Sequence, residues 1–242
     1  MRLKIVFNPE GSGFPLHYRQ GIQAFLYSAF PLEFAEQLHN MKSLDGLKLF
    51  KPFVFSNILG KYTVIDRQIY FSDGAVLYFS TPIPELLASV YLFLQQNQVI
   101  TLYDQFMSIV SVEILDESME DGTYQYRTLS PITVYTTEDG FTEYADPFHN
   151  EYRDMLIENL RRKYEQIYQE PCNDFINIYS FSDVKQNICK FKNTHVVAYR
   201  YRCKITTTKN VHDIILNCGL GSKNAAGFGM MELIKSKTES MK

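Results

Sequence analysis

Tryptophan is absent from the 242 residues, although 18 Phe and 17 Tyr are present. Any aromatic core or stacking surface must therefore be built from phenyl and phenol rings. Cysteine is scarce: Cys172, Cys189, Cys203 and Cys218 stand 17, 14 and 15 residues apart, with no Cys-x-x-Cys pair. That spacing excludes a zinc ribbon and a dithiol redox motif, and free thiols in a reducing cytoplasm are expected. His17, His39, His149, His195 and His212 are isolated from one another, and no cluster of Asp or Glu resembles a two-metal centre. No metal and no cofactor are expected. Long apolar runs are missing too; none approaches the roughly 18–20 residues that cross a bilayer, so no membrane partner is expected. The opening Met-Arg-Leu-Lys-Ile-Val-Phe lacks the apolar stretch of a secretion signal.

What is present describes a folded chain. Apolar residues make up 45% and charged residues 21%, close to globular averages. The length suits one large domain or two of about 100–120 residues. The formal charge of −3 argues against indiscriminate coating of nucleic acid, but its distribution is uneven. Residues 1–120 hold 8 Lys/Arg against 12 Asp/Glu, a net of −4. Residues 183–223 hold Lys185, Lys190, Lys192, Arg200, Arg202, Lys204, Lys209 and Lys223 against Asp183 and Asp213, a net of +6. A local basic field on an acidic molecule suits a polyanion held in one groove; a solvated strand pair would give the same pattern.

Periodicity and turn residues divide the chain into two similar passes. Strands are expected at 2–7, 53–56, 62–65, 68–71, 75–79, 99–102 and 106–115, with helices at 17–30, 32–39 and 85–94. The acidic stretch 116–122, closed by Asp121-Gly122, reads as a linker. Beyond it, strands are expected at 124–129, 131–136, 175–181, 195–206 and 230–234, and helices at 150–169 and 211–217. Each pass approximates β-α-β-β-α-β, so the expected class is α+β with tandem ferredoxin-like domains over 1–118 and 122–242.

The strongest local signal is Gly219-Leu220-Gly221-Ser222-Lys223-Asn224-Ala225-Ala226-Gly227-Phe228-Gly229. Bare backbone of this kind can approach a phosphate or another strand. The spacing fits neither a Walker A loop nor Gly-x-Gly-x-x-Gly, and a strand rather than a helix follows, so a nucleotide cofactor is not indicated. A tight helix-to-strand connector that lets Phe228 pack would need the same glycines.

With these residues the chain resembles the repeat-associated mysterious proteins of CRISPR systems, whose signature is a C-terminal Gly-x-Gly-x5-Gly-Phe-Gly. Within that superfamily it is similar to the endoribonucleases that cut precursor CRISPR RNA inside its repeats. Tyr27, His39 and Lys51 fall where that group places its catalytic Tyr, His and Lys. The likeness continues through Phe79-Ser80-Thr81-Pro82, Leu129-Ser130-Pro131 and the long helix after Pro147. It implies two ferredoxin-like domains, repeat RNA as partner, and metal-independent scission giving 2′,3′-cyclic phosphate and 5′-hydroxyl ends. Attachment to a CRISPR effector complex, and monomer or homodimer, stay open. The competing reading is a non-catalytic RNA-binding subunit of such a complex.

The residue types suit that chemistry. Attack by the substrate's own 2′-hydroxyl needs a group to guide its proton, an acid for the leaving 5′-oxygen and positive charge at phosphorus. His39, with an ordinary pKa near 6.5, is assigned the acid; Lys51 the non-bridging oxygens; Tyr27 the orientation of the 2′-hydroxyl and, secondarily, the base. On a helix, Ile22, Phe25, Leu26, Ala29 and Phe30 share one face, and Tyr27 falls roughly 130° from its middle. His39 could equally be a helix-end histidine followed by Asn40 as a stop. Lys48 and Lys42 are alternatives to Lys51, and His17 to Tyr27 or His39. For RNA binding the candidates are Lys190, Lys192, Arg200, Arg202, Lys204, Lys223 and the loop residues Gly219, Gly221, Gly227 and Gly229. Arg200 and Arg202 share one strand face, opposite Tyr199, Tyr201 and Cys203.

Overall fold

A computed structural model describes residues 1–9, 11, 13–41 and 49–234; of His39 and Asn40 it describes the backbone alone. The first half runs β1 (Arg2–Asn8), β2 (Gly13–Pro15), α1 (Arg19–Ala29), α2 (Leu32–Asn40), β3 (Val54–Phe55), β4 (Tyr62–Ile65), β5 (Gln68–Phe71), β6 (Ala75–Ser80), α3 (Pro84–Gln96), β7 (Val99–Leu102) and β8 (Gln105–Leu115). The second runs β9 (Gly122–Thr128), β10 (Tyr135–Glu138), β11 (Phe141–Tyr144), α4 (Glu151–Tyr168), β12 (Asn177–Phe191), β13 (Thr194–Thr207), α5 (Lys209–Cys218) and β14 (Met231–Leu233). Among the described residues no helix is long and apolar enough to cross a membrane.

The first sheet has the order β3-β6-β1-β8-β7 and the second β12-β13-β9-β14. Without the added edge strand β7, each places its strands, counted along the core motif, as 2-3-1-4, every neighbouring pair antiparallel. This is the ferredoxin-like arrangement, present twice. Period-two alternation drives the central strands: Leu3, Ile5 and Phe7 of β1 are fully buried, as are Tyr201, Cys203 and Ile205 of β13. Helices α1 and α3 cover the first sheet, and α4 and α5 the second, each through an apolar stripe.

Three differences from the expected elements have local causes. Strand β12 continues to Phe191, ten residues beyond the expected end, because Ser180 and Asp183 take positive φ and absorb two register shifts without ending the ladder. The 131–136 segment is not one strand: Ile132 and Thr133 make isolated bridges to Tyr199 and Ser222, and pairing with β11 starts at Tyr135. Strand β2, unmarked by any alternation, exists because β5 offers it an edge. All four cysteines are free thiols.

Two hydrophobic clusters fill the halves, and each takes a residue from the other side. Ala225 of the glycine-rich loop belongs to the first cluster, whereas Phe50 packs against the second. Polar groups complete the junction. Arg2, buried at the start of β1, donates to Ser80 Oγ (3.1 Å) and to the carbonyls of Leu216 (3.2 Å) and Met231 (2.7 Å), and pairs with Glu117 at 3.0 Å.

The glycine-rich loop is buried in this junction. Gly229 has φ +77°, and a Cβ there would lie 1.9 Å from the Leu220 carbonyl oxygen. Gly140, at the exposed β10–β11 turn, has φ +81° with nothing near a would-be Cβ. Gly229→Ala should therefore cost about 2–4 kcal/mol, strain plus displacement of backbone. Gly140→Ala should cost only the left-handed penalty of about 1–2 kcal/mol. Urea denaturation of both variants checks the ordering; equal losses would mean that the loop yields.

Candidate active site

Tyr27 sits in the last turn of α1, off the buried face formed by Ile22, Phe25, Leu26 and Ala29. It is half-buried all the same, because the segment leading into β3 closes over it. Its ring lies 5.4 Å from that of Phe30 and 6.0 Å, edge-on, from that of Phe53. Phe53 in turn packs on Phe30 and Phe79. Two residues before Phe53, the half-buried Lys51 turns its Nζ to donate to Tyr27 Oη at 2.6 Å, and the same ammonium is 5.1 Å from the ring centroid. The structure thus joins two of the three expected catalytic residues across 24 positions of chain.

Burial acts on both groups. It pushes the Tyr27 phenol above its ordinary value, so the hydroxyl stays protonated at neutral pH, and it lowers the Lys51 amine. A raised phenol leaves even less phenolate available at neutral pH than an exposed one, which favours orientation over proton abstraction. Because Lys51 occupies a lone pair on Oη, the Tyr27 O–H is free to donate elsewhere.

His39 is the penultimate residue of α2, which starts two positions after Phe30; its side chain lies outside the described residues, as do Lys42 and Lys48. His17 is exposed at the opposite end of α1. It precedes α1, whose eight-residue rise from Arg19 to Tyr27 is about 12 Å, which removes it from the Tyr27–Lys51 pair. His149 and His195 are exposed; His212 is buried, with Nε2 donating to the Gly122 carbonyl (3.1 Å) and Nδ1 bonded to the Tyr126 hydroxyl (2.7 Å).

The segment bearing Lys51 is fastened on every side. Gln166 of α4 brackets Phe50, its Oε1 accepting from the backbone N–H (3.0 Å) and its Nε2 donating to the carbonyl (2.8 Å). Thr81 donates to the Pro52 carbonyl at 2.7 Å and Ser130 to that of Phe55 at 3.2 Å. Arg19, at the start of α1, donates to Asn57 Oδ1 (2.7 Å) and to the Gly227 carbonyl (3.2 Å), and Gln23 to the Ala225 carbonyl (2.6 Å).

The expected RNA-binding residues fall into three groups. Arg200, Arg202 and Lys204 are exposed on one face of β13, with Lys185 across from Arg200. Lys190 pairs with His195, so it lies on the opposite face, and Lys192 takes a positive φ at the tip of the β12–β13 hairpin. Gly219, Gly221, Gly227 and Gly229 are buried with their would-be Cβ positions against protein: Asn224, Thr133, the Phe55 ring and Leu220. Lys223, in a left-handed conformation, places its ammonium 4.6 Å from the Tyr135 ring centroid. Arg127 went unnoticed in the sequence. It stands directly opposite Arg202 on the exposed side of β9, but lies far from the basic 183–223 stretch; only sheet order reveals it. The face is not purely cationic, since Asp183 pairs with Arg202 (3.0 Å) and Glu232 with Arg127.

Residues 115–233 match the family described as CRISPR associated protein Cas6, C-terminal. The chain is 28% identical over 226 residues to the CRISPR-associated endoribonuclease Cas6 1 of Methanocaldococcus jannaschii, covering 90% of this chain and 84% of that protein. It is 23% identical over 231 residues to the CRISPR-associated endoribonuclease Cas6 of Pyrococcus furiosus, covering 93% and 85%. Among solved structures, a RAMP protein binding different RNA substrates superposes with a TM-score of 0.82 at 18% identity, covering 97% of this chain and 100% of its own. That superposition bears on the fold, and it spans both halves.

The Tyr27 hydroxyl and the Tyr27 ring have separable duties. Tyr27→Phe should change stability by no more than about 1 kcal/mol, the worth of one partly solvated hydrogen bond. Phe53→Ala, at a fully buried position, should cost about 3–5 kcal/mol. Chemical denaturation tests this; a comparable loss from both would make the hydroxyl a structural group.

Proposed function

Because this chain belongs with the Cas6 endoribonucleases of CRISPR systems, we infer that it cleaves CRISPR repeat RNA, and we propose that Tyr27, Lys51 and His39 carry the reaction. The observation that supports the assignment is the 2.6 Å contact between Lys51 Nζ and Tyr27 Oη. It sets a cation and a hydroxyl together beside the first sheet, at the end of α1 that leads into the helix bearing His39.

In the proposed reaction the ribose 2′-hydroxyl hydrogen-bonds to Tyr27 and is aimed in line with the departing 5′-oxygen. The 2′-oxygen–phosphorus bond forms as the phosphorus–5′-oxygen bond breaks. The 2′-hydroxyl proton passes to solvent, and His39 protonates the 5′-oxygen. Lys51 meets the negative charge that builds on the non-bridging oxygens. The products are a 2′,3′-cyclic phosphate and a 5′-hydroxyl, with no metal in any step. The basic face of β13 and β9, with Arg127, Lys185, Arg200, Arg202 and Lys204, would hold backbone phosphates. The setting is cytoplasmic, where repeat transcripts are made and thiols stay reduced.

Incubation of the protein with its repeat RNA in EDTA tests the reading. Scission at one position, leaving a cyclic phosphate, supports it; tight binding without scission would convert the protein into an RNA-binding subunit. His39→Ala should slow single-turnover cleavage by about 10²–10⁴-fold with little change in affinity. Lys51→Ala should slow the same step by about 10²-fold, again with affinity preserved.

Replacing Arg200 and Arg202 together by Ala should reduce the slope of log affinity against log salt by about 1.4, at about 0.7 per single-strand phosphate contact. An unchanged slope would move the phosphate path off this face.

A further inference from the structure

Lys51 follows directly on a residue that the second half of the molecule holds. Phe50 lies in the first half by sequence, yet its side chain packs against the second hydrophobic cluster. Its backbone is bound by a single side chain: Gln166 accepts from the N–H and donates to the carbonyl, at 3.0 and 2.8 Å. One primary amide therefore satisfies both main-chain polar groups of the residue that precedes Lys51, as a neighbouring β-strand would.

The same helix holds Phe50 a second time. Lys163 lies three positions earlier on α4, and its ammonium is 5.9 Å from the Phe50 ring. That ammonium is itself fixed, donating to the carbonyls of Gly219 and Gly221 at 2.7 Å each. On the other side of Lys51, Pro52 is pinned by Thr81, and the Lys51 carbonyl accepts from the Phe53 N–H at 2.8 Å. Lys51 thus sits between two anchors, one from each half, with its ammonium on Tyr27.

We propose that Gln166 is a positioning residue for the cleavage reaction: by bracketing the Phe50 backbone from α4 it sets where Lys51 meets Tyr27 and the scissile phosphate. The inference rests on the role assigned to Lys51 above. It differs from a purely structural tie between the halves, which would lower stability and leave the chemical step of the folded enzyme alone.

A double-mutant cycle on the full chain, read by single-turnover cleavage of repeat RNA at saturating enzyme, decides it. Gln166→Met keeps the length of the side chain and removes both hydrogen bonds. It should slow cleavage about tenfold, as expected for a small displacement of a reacting group, while RNA affinity is unchanged. In the Lys51→Ala background it should cost nothing more, because the group it positions is gone. Gln166→Glu, which keeps the acceptor but turns a carboxylate oxygen on the Phe50 carbonyl, should show a loss at least as large and equally masked, and it stands in if the Met variant fails to fold. Wild-type rates for both Gln166 variants, beside a slow Lys51→Ala, would overturn the inference and leave the reading of the site intact. So would a full additional loss in the Lys51→Ala background. A wild-type rate for Lys51→Ala itself would instead remove the reading, and the inference with it.

Discussion

The stretch from Phe50 to Asn57 is buried for most of its length but has only two residues of regular strand, Val54 and Phe55. A buried segment with so short a ladder must find partners for its other peptide groups one by one. It does so from all sides: Gln166 at Phe50, Thr81 at Pro52, Ser130 at Phe55, the Tyr78 carbonyl at the Ser56 N–H, and the Leu129 carbonyl at the Asn57 N–H. Three of those five partners belong to the second half of the chain. The lysine proposed for catalysis therefore stands on a segment whose peptide groups are satisfied from both halves, and on that proposal the junction between the halves is part of the site.

That dependence explains the use made of the glycine-rich loop. Bare backbone admits a phosphate or a neighbouring chain equally well, and here its close neighbours are protein. Gly227 lets Phe55 approach, since a Cβ would stand 2.4 Å from the ring, and Gly219 and Gly229 make room for the Asn224 side chain and for the backbone of Gly229 and Leu220. Asn224 then bonds the carbonyls of Leu220 and Phe228 across the loop, at 3.3 and 3.0 Å. Lys163 neutralises two further carbonyls at its start, and its own burial lowers the amine to about 7. The loop is a wedge whose one side touches α1 and Phe55 and whose other touches α4.

Sequence patterns revealed what depends on neighbours in sequence. Alternation in β1 and β13, the stripe on α1 and the two passes of β-α-β-β-α-β were all legible, because each is enforced by a local period. Tyr27 was legible as a residue off the core stripe, but not its half-burial, which comes from Phe53 at a distance along the chain. The extension of β12 was hidden because Ser180 and Asp183 look like chain breakers and act as bulges. Arg127 and Gln166 were hidden for one shared reason: what gives each its place is a residue more than 70 positions away, Arg202 for one and Phe50 for the other. No periodicity carries that information; strand order and helix packing create it.

The two surfaces that the proposed reaction needs lie in different halves. The Tyr27–Lys51 pair belongs to the first, whereas the exposed basic face of β9 and β13 belongs to the second. An RNA held by both must cross the junction, so the distance from its phosphate contacts to the bond that breaks is fixed by how firmly the halves are joined. Buried Arg2, the Arg19 bridge to Asn57 and Gly227, and Gln166 on Phe50 all act there. A loose junction would let the same phosphates bind while different bonds drifted past Lys51. On the proposed chemistry, scission at a single position is then a property of the junction as much as of the three side chains at the site.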